Sequence, residues 1–349
     1  MWSILDYIFK RKPVPTILKQ YNSINYYNGP EIATAEIRKR LLQSRGGCVD
    51  VVKNEDTGIA TLCLNNPERR NAISGSMMVD LADAVDMLES WDTGKGLIIY
   101  GHGHTFCSGG DLNMARMFSN PDDGFLMAVF MQRVLGQLEK LPLISVALIE
   151  GTGALGGGSE LAMACDFRLL TSDTGGIGHV HSRMGITPAW GGCTRLVRTI
   201  GYTKALNLLT TGCRLSGEEA LHIGLADSIV DTKNALTEAS EWLKVRTNCD
   251  VAVLKSLKTM AHNAKEMSYQ ESLAEEKRLF APLWGGPANR AALTQNIKHK
   301  YCRLVQFERK QLWHGWRTII CQEKDDFNQL HRGVKSDWWN MRNQTYIWR

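Results

Sequence analysis

Several things are missing from this 349-residue chain, and each absence removes a class of protein. There is no C-x-x-C pair. The nine cysteines are scattered and odd in number, which argues against a disulfide framework and favours free thiols in a reducing compartment. No apolar run approaches the ~20 residues of a membrane span, so no membrane partner is expected. The N-terminus lacks the Arg- and Ser-rich, acid-poor character of a mitochondrial presequence, since Lys10, Arg11, Lys12 and Lys19 stand beside Asp6 and two prolines. Internal repeats and nucleic-acid motifs are also absent. These absences point to a soluble cytosolic protein, with the mitochondrial matrix as the alternative. What is present is ordinary for such a protein: 44% apolar and 22% charged residues, enough chain for one large domain or two.

Charge is unevenly placed. From Ala291 to Arg349 eleven basic residues face five acidic ones, a net +6, whereas the rest of the chain carries −1. The same tail holds Trp313, Trp316, Trp338, Trp339 and Trp348, half of the ten tryptophans. Composition therefore breaks near residue 290.

Before that break, short strand-like runs recur at Val49–Lys53, Ile59–Leu64, Gly96–Tyr100, Leu143–Ile149 and Phe167–Thr171. Helix-like segments lie at Glu31–Ser44, Gly75–Ser90 and Phe125–Leu141, and Ser216–Glu219 carries a capping-box pattern. Alternation of this kind predicts an α/β domain. From Leu236 to Phe280 the chain reads as helix throughout. The expected organisation is an N-terminal extension over 1–47, a core over 48–235, a helical region over 236–290 and the basic, Trp-rich tail over 291–349.

The most informative stretch begins after the strand-like run Leu143–Ile149. Gly151–Gly158 holds five glycines in eight residues and leads into the apolar run Leu161–Ala164, with Glu160 two positions past the last glycine. So many glycines let a ligand approach the backbone closely. N–H groups at a helix mouth then face whatever binds there, a site suited to developing negative charge. Two readings compete. Gly151–Gly156 matches G-x-G-x-x-G, and Asp173 stands near the acidic position of a dinucleotide site. Against this, Gly158 to Phe167 leaves room for only about two helical turns, short for a βαβ crossover. The other reading requires a second backbone donor, and His104–Asn113 supplies a further glycine turn before a helix-like segment.

Five segments together carry a resemblance: Asn65–Ala72 (NNPERRNA), Phe106–Leu112 (FCSGGDL), Pro142–Gly151 (PLISVALIEG), Ala154–Asp166 (ALGGGSELAMACD) and Gly185–Gly192 (GITPAWGG). In their order and gaps, across roughly Cys48 to Val230, they resemble the crotonase (enoyl-CoA hydratase/isomerase) superfamily. Gly178–Gly185 (GHVHSRMG) and Trp284–Asn289 (WGGPAN) further resemble the branch that removes CO2 from ethylmalonyl-CoA. The resemblance implies an α/β spiral of β-β-α units, a helical C-terminal region that forms a homotrimer or dimer of trimers, and an acyl-CoA thioester substrate. It implies no cofactor beyond the coenzyme A of that substrate. The implied activity is decarboxylation of ethylmalonyl-CoA, and of methylmalonyl-CoA, as proofreading of side products of fatty-acid synthesis.

Carried over motif by motif, the resemblance makes the N–H groups of Gly110 and Gly157 the donors to the thioester oxygen. Glu160 matches one of the two glutamates that hydratases use. The second falls at His181, and that departure argues against hydration, which handles water with two carboxylates. A glutamate there would repel a substrate carboxylate, whereas a histidine can hydrogen-bond to it or carry positive charge. Arg70, with Arg69 beside it, matches the loop against the CoA moiety, and Ala72, Ser108, Asp111 and Gly156 complete the substrate-binding set. His179 and His181 would share a strand face, and His102, His104 and Cys107 cluster in a loop, but neither set has zinc-site spacing, so no metal is expected. For the tail, RNA binding, partner docking and a C-terminus without a selected role are the alternatives, of which the last is favoured. The rival functions are an enoyl-CoA hydratase or isomerase, and a catalytically silent scaffold or RNA-binding protein of the same fold.

Overall fold

The computed structural model describes residues 29–295. Helix α1 (Gly29–Leu41) leads into the hairpin of β1 (Cys48–Asn54) and β2 (Ile59–Asn65), paired antiparallel. Then come α2 (Gly75–Glu89), β3 (Gly96–Gly101), α3 (Leu112–Met117), α4 (Pro121–Lys140) and β4 (Ile144–Ile149). The glycine-rich stretch forms β5 (Ala154–Leu155) and opens α5 (Gly157–Met163), followed by β6 (Phe167–Thr171) and β7 (Ile177–Gly178). The remainder comprises α6 (Gly192–Ile200), α7 (Tyr202–Thr211), α8 (Gly217–His222), β8 (Ser228–Val230), α9 (Ala235–Arg246), α10 (Val251–Glu266), α11 (Tyr269–Phe280) and α12 (Pro287–Leu293).

One sheet runs in the order β1-β2-β3-β4-β6-β8, parallel from β2 onward, and β5 and β7 form a small parallel pair of their own. The central strands are apolar because both sheet faces are covered. Their alternation divides them between two cores. Leu97, Ile99, Ala147 and Ile149 join the cluster built with α2 and α4 through Met78, Leu81, Val85, Phe130 and Leu138. Ile98, Val146 and Leu148 face the other way, onto Ala235, Ala239 and Leu243 of α9. The strand β1, at the sheet edge, has no fully buried residue and repeats a half-buried, exposed pattern.

The expected strands all form, with ends shifted by a residue or so, and the Ser216/Glu219 capping box is present. The run read as helical from Leu236 to Phe280 is built of three helices, since Asp250 and Ser268 accept from the first-turn N–H groups of α10 and α11 and start each afresh. His179 and His181 do not lie on a strand. The pair β5–β7 ends at Gly178, and Val180–Met184 is a turn of 3-10 helix. Packing divides the chain into Met1–Asn289 and Arg290–Arg349. The N-terminal extension up to Asn28, and the basic, Trp-rich tail beyond Gln295, lie outside the described residues.

Candidate active site

After β4 the chain turns through Glu150–Gly153, and the loop Thr105–Gly110 runs alongside it. Phe106 N–H donates to Glu150 O, Cys107 N–H to Gly153 O, and Leu155 N–H to Cys107 O. The two glycine turns meet here: a Cβ placed on Gly109 would stand 3.1 Å from Leu155 O and 3.5 Å from Gly157 N. Ile73 fixes the direction of the first turn. Its N–H donates to Gly109 O and its carbonyl accepts from Asp111 N–H, so Gly110 turns its own N–H away from Ile73. Gly157 opens α5, where an N–H has no intrahelical acceptor. Among the described residues neither the Gly110 nor the Gly157 N–H has a protein acceptor. Close packing explains other glycines of the stretch: a Cβ on Gly153 would lie 1.9 Å from Gly176 O, and on Gly158 2.5 Å from Cys107 O. Ligand approach is therefore not the reason for all five.

Glu160 stands in the first turn of α5 and is 1% exposed. Its carboxylate accepts four hydrogen bonds. Oε1 takes His181 Nε2 at 3.0 Å and Ala189 N–H at 3.3 Å, and Oε2 takes the N–H groups of Trp190 and Gly192, each at 2.8 Å. A buried carboxylate is tolerated only when its charge is met in this way. The sequence motif Gly185–Gly192 thus has a use that reading by residue type did not find, since its backbone rather than its side chains does the binding. Gly192 must be glycine because a Cβ there would stand 2.4 Å from Glu160 Cγ.

His181 is 6% exposed and lies beside the start of α5, its Nε2 4.0 Å from where a Gly156 Cβ would be. With Nε2 on Glu160, its Nδ1 is buried without a protein partner. His179 packs next to it, ring centroids 6.3 Å apart, and its Nε2 is likewise buried without a partner. Burial pushes the His179 imidazole down to about 4, against the pull of Glu160, so this ring is neutral at physiological pH. Among the described residues no three His, Cys, Asp or Glu side chains are placed to hold a metal ion. Of the loop set considered for zinc, Cys107 is fully buried with its thiol pushed up to about 12 by desolvation, and His104 Nδ1 lies 3.3 Å from Glu150.

The Asn65–Ala72 segment folds against the first glycine turn. Asn71, fully buried with φ of 54°, donates through Nδ2 to His102 O and Thr105 O and accepts from Asn66 N–H through Oδ1. Nothing in the composition singled it out, yet it ties the two loops together. Ser108 N–H donates to Arg70 O and its hydroxyl to Arg69 O, while Ala72 is buried behind them. Asp111 caps α3 through Asn113 and Met114 N–H and pairs with Arg69 Nη1 at 2.6 Å. Arg70 is exposed and has no side-chain partner among the described residues. The two arginines therefore differ: one braces Asp111, and the other is available to an anion.

The comparisons with known proteins agree with this geometry. The enoyl-CoA hydratase/isomerase family profile matches residues 54–286. A protein of Xenopus laevis called ethylmalonyl-CoA decarboxylase is 45% identical over 285 residues, covering 81% of this chain and 93% of that one. The human protein of the same name is 45% identical over 266 residues, 75% of this chain and 86% of its own. Among solved structures, an enoyl-CoA hydratase from Thermoplasma volcanium aligns with a TM-score of 0.64 at 28% identity, over 72% of this chain and 97% of that one. One from Bacillus anthracis gives 0.65 at 25%, over 71% and 95%. The expected crotonase fold is borne out. With a profile spanning most of its length, and relatives this similar over three quarters of it or more, the chain belongs to the enoyl-CoA hydratase/isomerase family, within the group of the ethylmalonyl-CoA decarboxylases.

Proposed function

We propose that this protein removes CO2 from malonyl-type acyl-CoA thioesters, ethylmalonyl-CoA first and methylmalonyl-CoA second. The observation that carries the reading is the state of Glu160: both its oxygens are occupied, by three backbone N–H groups and His181. A carboxylate so engaged is poorly placed to handle a water, and the second position that would help it is an imidazole. Hydration thereby loses both its carboxylates, while the oxyanion donors are kept.

In the proposed reaction the thioester oxygen accepts from the N–H groups of Gly110 and Gly157. The bond from the α-carbon to the substrate carboxylate breaks, its electron pair moves into a thioester enolate, and CO2 departs. Fixed donors stabilise that enolate without having to reorganise. The α-carbon then takes a proton from water, His181 or Glu160, and the enolate returns to a thioester. His181 meets the substrate through Nδ1, the nitrogen that Glu160 leaves unused, and Glu160 holds the ring in place. Arg70 offers its guanidinium to a phosphate of the coenzyme A, with Ala72, Ser108, Asp111 and Gly156 shaping the channel by the contacts given above. No cofactor beyond the substrate's own coenzyme A is proposed.

The resemblance supports further parts of the reading: a homotrimer or dimer of trimers formed through the helices after Asn234, and cytosolic proofreading of side products of fatty-acid synthesis. Among the described residues no helix is long and apolar enough to cross a membrane. The direct test is incubation of the full chain with ethylmalonyl-, methylmalonyl- and crotonyl-CoA, with CO2 release and hydration followed in parallel. CO2 release from the first two, without hydration of the third, is the expected result. Hydration alone would return the protein to the hydratases, and silence with all three would favour a scaffold.

A further inference from the structure

The backbone donors that hold Glu160 lie on one short segment, Ala189–Gly192, and the carbonyls of that segment are gripped by two other side chains. Gln132 Nε2 donates to Ala189 O at 2.8 Å, and Arg195 Nη1 donates to Trp190 O at 2.9 Å. The Ala189 carbonyl and the Trp190 N–H belong to one planar trans peptide group and point in opposite directions. The Gln132 bond therefore sets the direction of the N–H that meets Glu160 Oε2. Arg195 holds the next peptide group, whose N–H, from Gly191, is not a donor to Glu160; itself buried and held at Nε by Glu139 Oε2 at 2.8 Å, it anchors the segment rather than aiming a donor. Gln132 and Glu139 stand seven positions apart on α4, two turns along one face, so a single helix secures the segment at both points.

The same segment also braces the oxyanion turn. A Cβ on Gly157 would lie 2.4 Å from Trp190 Cζ3, so the Trp190 ring rests against the α-carbon of the residue whose N–H is a donor. Neither Gln132 nor Arg195 hydrogen-bonds to Glu160 or His181, and Gln132 is exposed. A solvent-facing glutamine on an amphipathic helix gives no sign of such a role.

We propose that Gln132 is a positioning residue of the active site, acting on a segment that Arg195 anchors. It acts through the Ala189 carbonyl to aim the Trp190 N–H at Glu160 Oε2, and so to fix Glu160, and with it the His181 imidazole, beside the oxyanion turn. The inference rests on the decarboxylase reading for its activity readout only.

Gln132→Met keeps the shape of the side chain and removes its donor at an exposed site, so folding is not at risk. With ethylmalonyl-CoA, the loss of one such bond corresponds to a fall in kcat of about 2- to 13-fold, with KM unchanged. Gln132→Lys restores a donor and should recover part of kcat. Independently of turnover, the ring 15N shifts of His181, assigned by their disappearance in His181→Gln, should differ between wild type and Gln132→Met. Wild-type kcat together with unmoved His181 shifts would overturn the proposal. So would a KM effect at constant kcat, which would place Gln132 in substrate binding instead. If the wild type releases no CO2 at all, the substrate reading fails, and the His181 shifts still decide on positioning.

Discussion

At the scale of single residues, the chemistry turns on a carboxylate that is held rather than free. Glu160 faces His181 at 3.0 Å, so His181→Glu sets a second carboxylate against it as well as against the substrate. Repulsion between unit charges at about 4 Å is roughly 4 kcal/mol at an effective dielectric near 20, close to a 10³-fold loss. We expect kcat/KM for ethylmalonyl-CoA to collapse in His181→Glu and to fall much less in His181→Gln, which keeps a donor. Equal values in wild type and both variants would place His181 away from the substrate carboxylate. The oxyanion pair is tested best at Gly110. A Cβ on Gly157 collides with Trp190, so any substitution there mixes steric and donor effects, whereas a Cβ on Gly110 meets nothing nearer than Met114 Cε at 3.8 Å. Gly110→Ala should therefore stay within a few-fold of wild type. Gly110→Pro, which removes the N–H, should lose about 10²–10³ in kcat. Matching turnover in the two variants would sink the donor assignment. Glu160, His181 and the two glycines were legible in sequence as residue types in motifs. The occupation of Glu160 was not, because its partners are N–H groups 29 to 32 positions away, and any residue but proline supplies one.

At the scale of elements, the site depends on where α6 begins. Its first N–H, from Gly192, meets Glu160, and its body is pinned by Arg195 to Glu139 of α4 and by Arg198 to Glu266 of α10. Lys265 of α10 completes the arrangement, 2.6 Å from the same Glu139. Burial alone would raise the Glu139 carboxyl, but hydrogen bonds from Lys265 and Arg195 outweigh it and hold the group below its ordinary value of 4.5. A carboxyl lowered by folding contributes stability that is full above the unfolded value and lost as pH falls through the folded one. Glu139→Gln should thus melt below wild type at pH 7, and the gap should narrow as pH drops below about 4.5. A gap that stays constant from pH 7 to 3 would show that the ionised form contributes nothing. The long elements around this clamp were readable because strands such as β4 are apolar but for Ser145 and helices such as α4 repeat their buried positions. The pair β5–β7, two residues each, was not readable. It is specified by backbone ladders and glycine approach rather than by side-chain alternation, yet it places His181 beside Gly156.

At the scale of the whole molecule, the chain combines a family body with a stretch of different composition. The family profile ends at residue 286, and contact packing breaks at Asn289. The Xenopus laevis relative is matched over 93% of its own length while a fifth of this chain stands outside that match. The residues assigned to catalysis all fall between Gly110 and His181, and the segments that position them reach no further than Glu266 in α10. Chemistry should therefore survive removal of the basic, Trp-rich tail. The point of truncation matters, however. A stop after Arg290 would cut α12 (Pro287–Leu293) in its middle, where Gly285 N–H also meets Asn289 Oδ1 at 2.9 Å. A stop after Gln295 leaves the helix whole. We expect that truncated protein to decarboxylate ethylmalonyl-CoA with kcat/KM within a few-fold of the full chain, measured by CO2 release. A soluble, folded truncation with no activity would mean that the tail enters the working site. An unchanged kcat with a raised KM would place it in binding the coenzyme A, whose phosphates its net +6 would attract.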